Sequence, residues 1–350
     1  MLWNDIEERM INLSNLRQVS EVRNFLAHFS LSFNEQVDYT VALYKDDSIV
    51  ATGSFAGEVL RNIAIDESLQ GEGLTSSVIS HLMREAVQRG IYHYFIFTKP
   101  DKAHLFGPLG FKEIARAQPY VVLLEAGIGS IDSYCAEKAK EVAKLPVGRR
   151  AALVVNCNPF TLGHQAVIAK AAAENPGVVV LVVSEEGSVF PFSVRQRLVE
   201  EGVAAYKNVV VVASGKYIVS AATFPGYFTK GNDTVTAQTR LDATIFAQYI
   251  APAMGITCRY VGDEPYCPVT KAYNQAMFDI LPSHHIDVIE MPRIAVQGSC
   301  ISASRVRELI RLEEWDTIRL LVPETTFQYL RSPEAVTVIK KIQQNQSRHS

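Results

Sequence analysis

The chain is poor in the residues that would place it outside the ordinary globular class. Its 350 residues include five cysteines (Cys135, Cys157, Cys258, Cys267 and Cys300), an odd number with none in a Cys-x-x-Cys pair. That spacing excludes a disulfide framework and offers no structural zinc site, so a reducing, cytoplasmic setting is expected. Long apolar runs are missing too. The longest purely aliphatic stretch, Val178 to Val183, is far too short for a bilayer and reads as one buried strand. Met1 to Ile11 carries acids where a signal peptide carries bases. Nor is there an excess of one charge: 34 basic and 37 acidic residues leave a net charge of −3, with no basic footprint for nucleic acid. What the chain does have is 48% hydrophobic and 9% aromatic residues, enough to bury a large core at a length suited to about two domains.

The first stretch reads as strands, a helix, then strands again. Short β-prone runs at Tyr39 to Leu43 and Ser48 to Phe55 flank the turn residues Lys45, Asp46 and Asp47, and Glu58 to Ile65 is a third strand. The loop Gln70-Gly71-Glu72-Gly73 opens a helix with Leu74, Val78, Leu82 and Ala86 on one apolar stripe, ended by Gly90. Tyr92 to Thr98 is the next strand, followed by a short helix near Lys102 to Phe106, a turn at Gly107 to Phe111, and closing strands to Leu124. Ser130 to Leu145 reads as a linking helix, with Asp132 near its start and lysines toward its end, as the helix dipole favours. From Arg150 the pattern changes. Apolar runs at 151–155, 178–183, 209–213, 258–261 and 287–291 alternate with helical stretches, which predicts a parallel, doubly wound sheet that binds ligands at the carboxyl ends of its strands. The expected division is 1–127, a linking helix over 128–148, a second domain over 149–332, and a C-terminal helix or polar tail over 333–350 that frays.

Two segments of the second domain carry chemistry. In Val154 to Gln165 an apolar strand runs into Asn158, Pro159, Phe160, Thr161, Leu162, Gly163 and His164 and then into a helix. This sets Thr161 and His164 at a helix N-terminus, where free N–H groups and the dipole attract phosphate. Gly163 permits close backbone approach, and His164 and the Thr161 hydroxyl can donate to phosphate oxygens. In Gly298 to Ile310 a second helix begins after the last strand, with Ser302 and Ser304 as N-cap candidates and Arg305 and Arg307 near its first turn. Basic residues there oppose the dipole, and an anionic ligand would explain them. A helix cap with a surface histidine, and ordinary solvated arginines, are the plainer alternatives. Arg195 is a further candidate, balanced against a helix-surface role. Asp263 and Glu264 follow a strand end, where they would orient a metal-bound water or ribose, or simply solvate a turn. His284 and His285 read as loop residues, and no dedicated protein metal site is expected.

Together, Thr161-Leu162-Gly163-His164 and Ile301-Ser302-Ala303-Ser304-Arg305-Val306-Arg307 resemble the two signatures of the HxGH-type nucleotidyltransferase superfamily. With the segments at 190–202, 240–256 and 259–274, in this order, they resemble the citrate lyase ligase family over nearly the whole chain. The resemblance implies ATP with Mg²⁺, activation of acetate as acetyl-AMP, and acetyl transfer to the thiol of the prosthetic group on the citrate lyase acyl carrier subunit. His164, Thr161 and Arg307 would be catalytic. Asn158, Pro159, Phe160, Gly163, Ser302, Ser304, Arg305 and Arg195 would bind ATP. The alternatives are adenylyl transfer to a pantetheine or nicotinamide nucleotide, and a regulatory module that senses ATP. The first domain resembles the GNAT acetyltransferase fold, in which a glycine loop offers backbone N–H groups to a coenzyme A pyrophosphate. Gln70, Gly71, Gly73 and Thr75 stand at that loop, with Thr75 where glycine or alanine is usual. The resemblance implies that this domain grips the dephospho-coenzyme A-like arm of the carrier.

Overall fold

The computed structural model describes residues 5–33, 36–220, 232–263, 267–293, 295–296 and 299–344; Glu264, Gly298 and the tail beyond residue 344 lie outside them. Contacts divide the chain into two compact units, Met1–Ile131 with Ala221–Leu241, and Asp132–Ser220 with Asp242–Ser350.

The first unit is α+β. Its strands are β1 (Glu7–Met10), β2 (Tyr39–Lys45), β3 (Ser48–Ala56), β4 (Val59–Ile65), β5 (His93–Thr98), β6 (Lys112–Ala117) and β7 (Val121–Gly127), with helices α1 (Leu16–His28) and α2 (Leu74–Gln88). They form a seven-stranded sheet in the order β1-β2-β3-β4-β5-β7-β6. Every junction is antiparallel except β4 with β5, which pair in parallel only at Val59 and Leu60 with Phe95 and Ile96. Val78, Ile79, Leu82 and Ala86 of α2 are fully buried against the sheet, as the four-residue spacing predicts. The strand β1 and the helix α1 carry only a weak sequence signal. Val19, Val22 and Leu26 bury one face of α1 in a second, smaller core, but arginines, glutamine and glutamate dilute that stripe.

The second unit is a doubly wound α/β fold. It begins with α3 (Ile131–Glu141), then β8 (Arg150–Val155), α4 (Leu162–Glu174), β9 (Gly177–Val182), α5 (Phe192–Val203) and β10 (Val209–Ala213). After α6 (Asn232–Ile245), whose residues up to Leu241 group with the first unit, a π-helical turn and α7 (Ala251–Met254) lead to β11 (Ile256–Gly262), α8 (Pro268–Ile280), β12 (Asp287–Met291) and the short pair β13 (Ala295–Val296) and β14 (Ser299–Cys300). The chain closes with α9 (Ala303–Arg311), α10 (Trp315–Arg319), α11 (Glu324–Arg331) and α12 (Val336–Gln344). Five parallel strands run in the order β10-β9-β8-β11-β12. Val178 to Val182 are wholly buried because helices cover both faces of the sheet. Strand order reverses at β8, so the crevice between the carboxyl ends of β8 and β11 is the topological switch point.

Two expectations differ at the edges. The helix expected as a linker packs within the second unit: the Tyr134 hydroxyl donates to the Ser214 carbonyl at 2.6 Å. The C-terminal segment from 333 includes the helix α12, which is docked rather than frayed: Val338 and Ile342 are buried in the core and Arg311 Nε donates to the Ile342 carbonyl at 2.9 Å. Two apolar residues four apart suffice to dock a short helix once a partner face exists.

Gly202 shows how tightly this unit is packed. A Cβ there would lie 2.3 Å from Cε1 of the fully buried Phe160. Alanine gains about 1 kcal/mol of helix propensity over glycine, whereas overpacking a core costs about 1–3 kcal/mol. Gly202→Ala is therefore expected to lower Tm by a few degrees (roughly 2–4 °C per kcal/mol). A raised Tm in a thermal melt would show that Phe160 yields freely.

Candidate active site

The site grows from the turn between β8 and α4. Cys157 adopts a left-handed φ of 54° there, and a cis peptide joins Asn158 to Pro159. Thr161 then caps α4: its side chain accepts from the His164 N–H, and the His164 ring accepts from the Thr161 N–H at 3.1 Å through Nδ1. That reciprocal bond is a capping box with histidine in place of the usual glutamate. It also places the lone pair on Nδ1 and the proton on Nε2, so the ring presents a neutral N–H donor. Phe160 supports the ring from behind, stacked nearly parallel at a centroid distance of 6.0 Å. Burial, reinforced by the positive charge of Arg293, pushes the His164 pKa down to about 4.

The second wall is the start of α9. Ser302 caps that helix by accepting from the Arg305 N–H at 3.1 Å. Arg307, 4% exposed, reaches across to the β8–α4 turn, where Nη1 donates to the Asn158 carbonyl at 2.6 Å. Burial lowers its pKa, with Arg311 adding to the effect. Arg305 is half-buried and pairs with Glu308 at 3.1 Å.

These elements enclose one cleft of about 870 Å³ at the switch point, within the roughly 300–1,000 Å³ usual for small-molecule sites. Asn158, Thr161, Gly163 and His164 line it from one side, and Ser302, Ser304, Arg305 and Arg307 from the other, with Asp263 at its edge. Two helix N-termini and several guanidinium groups converge there, which suits a polyanion. A Cβ added at Gly163 would lie 3.5 Å from Ile301 and from Thr161 Oγ1, ordinary contact, so the protein alone would tolerate a methyl group at this point.

Three expected nucleotide contacts sit behind the cleft instead. Arg195 is 0% exposed, and its guanidinium donates to the carbonyls of Phe190, Asn156, Val183 and Glu185 and to Asn156 Oδ1, at 2.7–3.0 Å. Each of its three guanidinium nitrogens bonds the scaffold and the side chain does not line the cleft, unlike the contact with ATP expected of it. Phe160 is in the core, and Pro159 does not border the cleft. Cys157 is buried, which raises its thiol pKa and leaves it protonated and inert. His284 and His285 are exposed at a helix end, away from the cleft. Arg259, Tyr273, Asn274 and Arg293 do line the cleft, though the sequence reading did not single them out. An arginine inside the apolar strand Cys258 to Val261 was the available signal.

In the first unit, the Gln70–Thr75 loop leads into α2. Gly71 and Gly73 have φ of 91° and 81°, and Gly73 occupies the N-cap position of α2 with no side-chain cap bond. Gln70 is exposed, with its Nε2 donating to the Ile65 carbonyl at 3.4 Å, and Thr75 is half-buried in the first turn.

The neutral histidine yields a measurable consequence. The unfolded chain takes up a proton near the ordinary histidine pKa of about 6.5 and the folded site only near 4. The stability owed to a neutral His164 is therefore complete above about pH 6.5 and is lost as pH falls toward 4. The NMR titration of the His164 ring protons is expected to have its midpoint well below 6.5. A midpoint at or above that value would reject the neutral ring.

Comparisons with known proteins agree on one family. Residues 150–330 match the model of the citrate lyase ligase C-terminal domain. The [citrate [pro-3S]-lyase] ligase of Klebsiella pneumoniae is 38% identical over 314 residues, covering 88% of this chain and 91% of its own. The protein of the same name from Escherichia coli (strain K12) is 36% identical over 338 residues, 95% of each chain. Among solved structures, the ribosomal-protein-S18-alanine N-acetyltransferase from Escherichia coli is similar over 36% of this chain and 95% of its own, with 16% identity and a TM-score of 0.31. Among the described residues no helix is long and apolar enough to cross a membrane. With a family model spanning more than half its residues and relatives aligned over nearly its full length, the chain belongs to the citrate lyase ligase family.

Proposed function

We propose that this protein is a cytoplasmic, ATP-dependent acid–thiol ligase. It joins acetate to AMP with release of pyrophosphate, then passes the acetyl group to the thiol of the prosthetic group on the citrate lyase acyl carrier subunit. The observation that carries the reading is the convergence of two helix N-termini, His164, Ser302, Ser304, Arg305 and Arg307 on one cleft at the sheet's switch point, in a chain of this family.

The chemistry asks little of a base. A carboxylate oxygen attacks the α-phosphorus and the bond to the bridging oxygen of the β-phosphate breaks, so the work is alignment and neutralisation of charge. His164, neutral and donating through Nε2, suits an α-phosphate oxygen on which charge builds. The Thr161 hydroxyl fixes that ring and faces the same cleft. Ser304 and Arg305 would receive the departing pyrophosphate, while Arg307 holds the β8–α4 turn against α9 and adds positive charge. Mg²⁺ would arrive on the phosphates and be held mainly by phosphate and water oxygens, with Asp263 orienting a bound water. In the second half-reaction the carrier thiol attacks the acetyl carbon and AMP departs. The Gln70–Thr75 loop, with uncapped N–H groups at the start of α2, supports the proposal that the first unit holds the pyrophosphate of the carrier's arm.

Acetate-dependent exchange of labelled pyrophosphate into ATP tests the first half-reaction. His164→Ala is expected to slow it by about 100-fold or more in a protein that still folds, because its donor acts mainly in the transition state; loss of the capping bond to Thr161 lowers Tm modestly. Gly163→Ala, which the protein's own packing admits, is expected to weaken ATP binding by steric contact with the ligand alone. Exchange that requires a pantetheine or nicotinamide nucleotide in place of acetate would return the protein to the adenylyltransferases.

The second half-reaction is tested separately. Gly73→Ala strains a left-handed position at the α2 N-terminus. It is expected to slow acetyl transfer to the carrier several-fold (about 1–2 kcal/mol) while sparing pyrophosphate exchange. Transfer at the full rate would remove the loop from arm binding.

A further inference from the structure

Arg259 of β11 points away from Cys258 and Tyr260, which pack in the main core, as alternation along a strand requires. It is 1% exposed and borders the cleft. Its guanidinium carbon lies 4.3 Å from the centroid of Phe246 and 5.4 Å from that of Tyr273. Nη2 donates to the Tyr273 hydroxyl oxygen at 3.1 Å, and that hydroxyl donates in turn to Asp242. The other Asp242 oxygen accepts from the Val219 N–H at 2.7 Å, so the acid is held within this network. Nε and Nη1 of Arg259 are buried and have no acceptor among the described residues.

Buried guanidinium donors that face a cleft without an acceptor call for an anion. Two kinds of anion enter the proposed reaction, the phosphates of ATP and the carboxylate of the acid. The phosphates suit the N-termini of α4 and α9. Arg259 belongs to a different set of elements, β11 and α8: it meets Tyr273 directly, and Asn274 and the buried Met277 of the same helix also line the cleft. One cation beside an aromatic ring and an apolar wall fits a small carboxylate with a short apolar end better than it fits a triphosphate. We infer that Arg259 binds the carboxylate of the acid substrate, with Tyr273 orienting the guanidinium and Met277 walling the short apolar end. This assignment rests on the acid-activating reading above and adds to it the residue that recognises the acid.

The test is pyrophosphate exchange by the full-length protein with acetate and ATP varied independently, alongside titration calorimetry of ATP alone. Arg259→Met is expected to raise the KM for acetate roughly 10- to 100-fold, the worth of a charge-assisted hydrogen bond, and to leave ATP affinity within about twofold. Tyr273→Phe keeps the ring and removes the hydroxyl, and is expected to raise the acetate KM about threefold or more. An unchanged acetate KM in Arg259→Met overturns the assignment. So does an equal loss of ATP affinity, which would give Arg259 to the nucleotide. Should Arg259→Met fail to fold, Tyr273→Phe decides alone, and an unchanged acetate KM in that variant overturns the assignment. A wild-type protein that exchanges pyrophosphate with no short carboxylic acid brings down the functional reading and this inference with it, whereas a normal wild-type rate with insensitive variants brings down the inference only.

Discussion

The candidate active site depends first on one buried cation. Arg195 sits on α5 beneath the carboxyl edge of the sheet and donates to carbonyls at the end of β8, beyond the end of β9 and at the entry to its own helix. Hydrogen bonds from a charged donor are about twice as strong as neutral ones, and here they satisfy carbonyls that irregular segments would otherwise leave buried without partners. A loop edge would be mobile without such a tie. With it, the turn from Asn156 to Thr161 becomes a rigid shelf from which α4 starts. Arg307 makes the complementary tie from α9, and the two arginines together hold both walls of the cleft.

Placement also governs ionisation. Thr161 and His164 close a small ring of hydrogen bonds at the N-terminus of α4, and burial beside Arg293 keeps the imidazole neutral. A charged imidazolium would be repelled by the surrounding guanidinium groups and by the helix dipole, whereas a neutral N–H donor pays neither cost. The positive character of the cleft is thus carried by arginines, which do not titrate, and the histidine contributes direction.

The two units use the same device in different settings. In each, a loop delivers the chain to a helix whose first N–H groups lack intrahelical partners. In the second unit the side chains of Thr161 and Ser302 cap those helices and set polar groups around the cleft. In the first unit Gly73 leaves α2 without a side-chain cap, so its backbone donors stay available.

Local pattern alone determined much of this protein. Alternating apolar runs and helices specified five parallel strands, because a strand buried on both faces must be apolar throughout. Thr161-Leu162-Gly163-His164 and Ser302 to Arg307 were legible as helix starts, because capping is a relation among neighbours a few residues apart. Tertiary structure decided the rest. Strand order, and with it the switch point that joins the two motifs, depends on packing between segments about 140 residues apart in the chain. The fate of each arginine was likewise invisible in sequence: Arg195 and Arg307 both lie on helices near apolar residues, yet one spends its donors on the scaffold and the other borders the cleft. A guanidinium acts according to the acceptors that surround it, and those acceptors are brought together only when the chain folds.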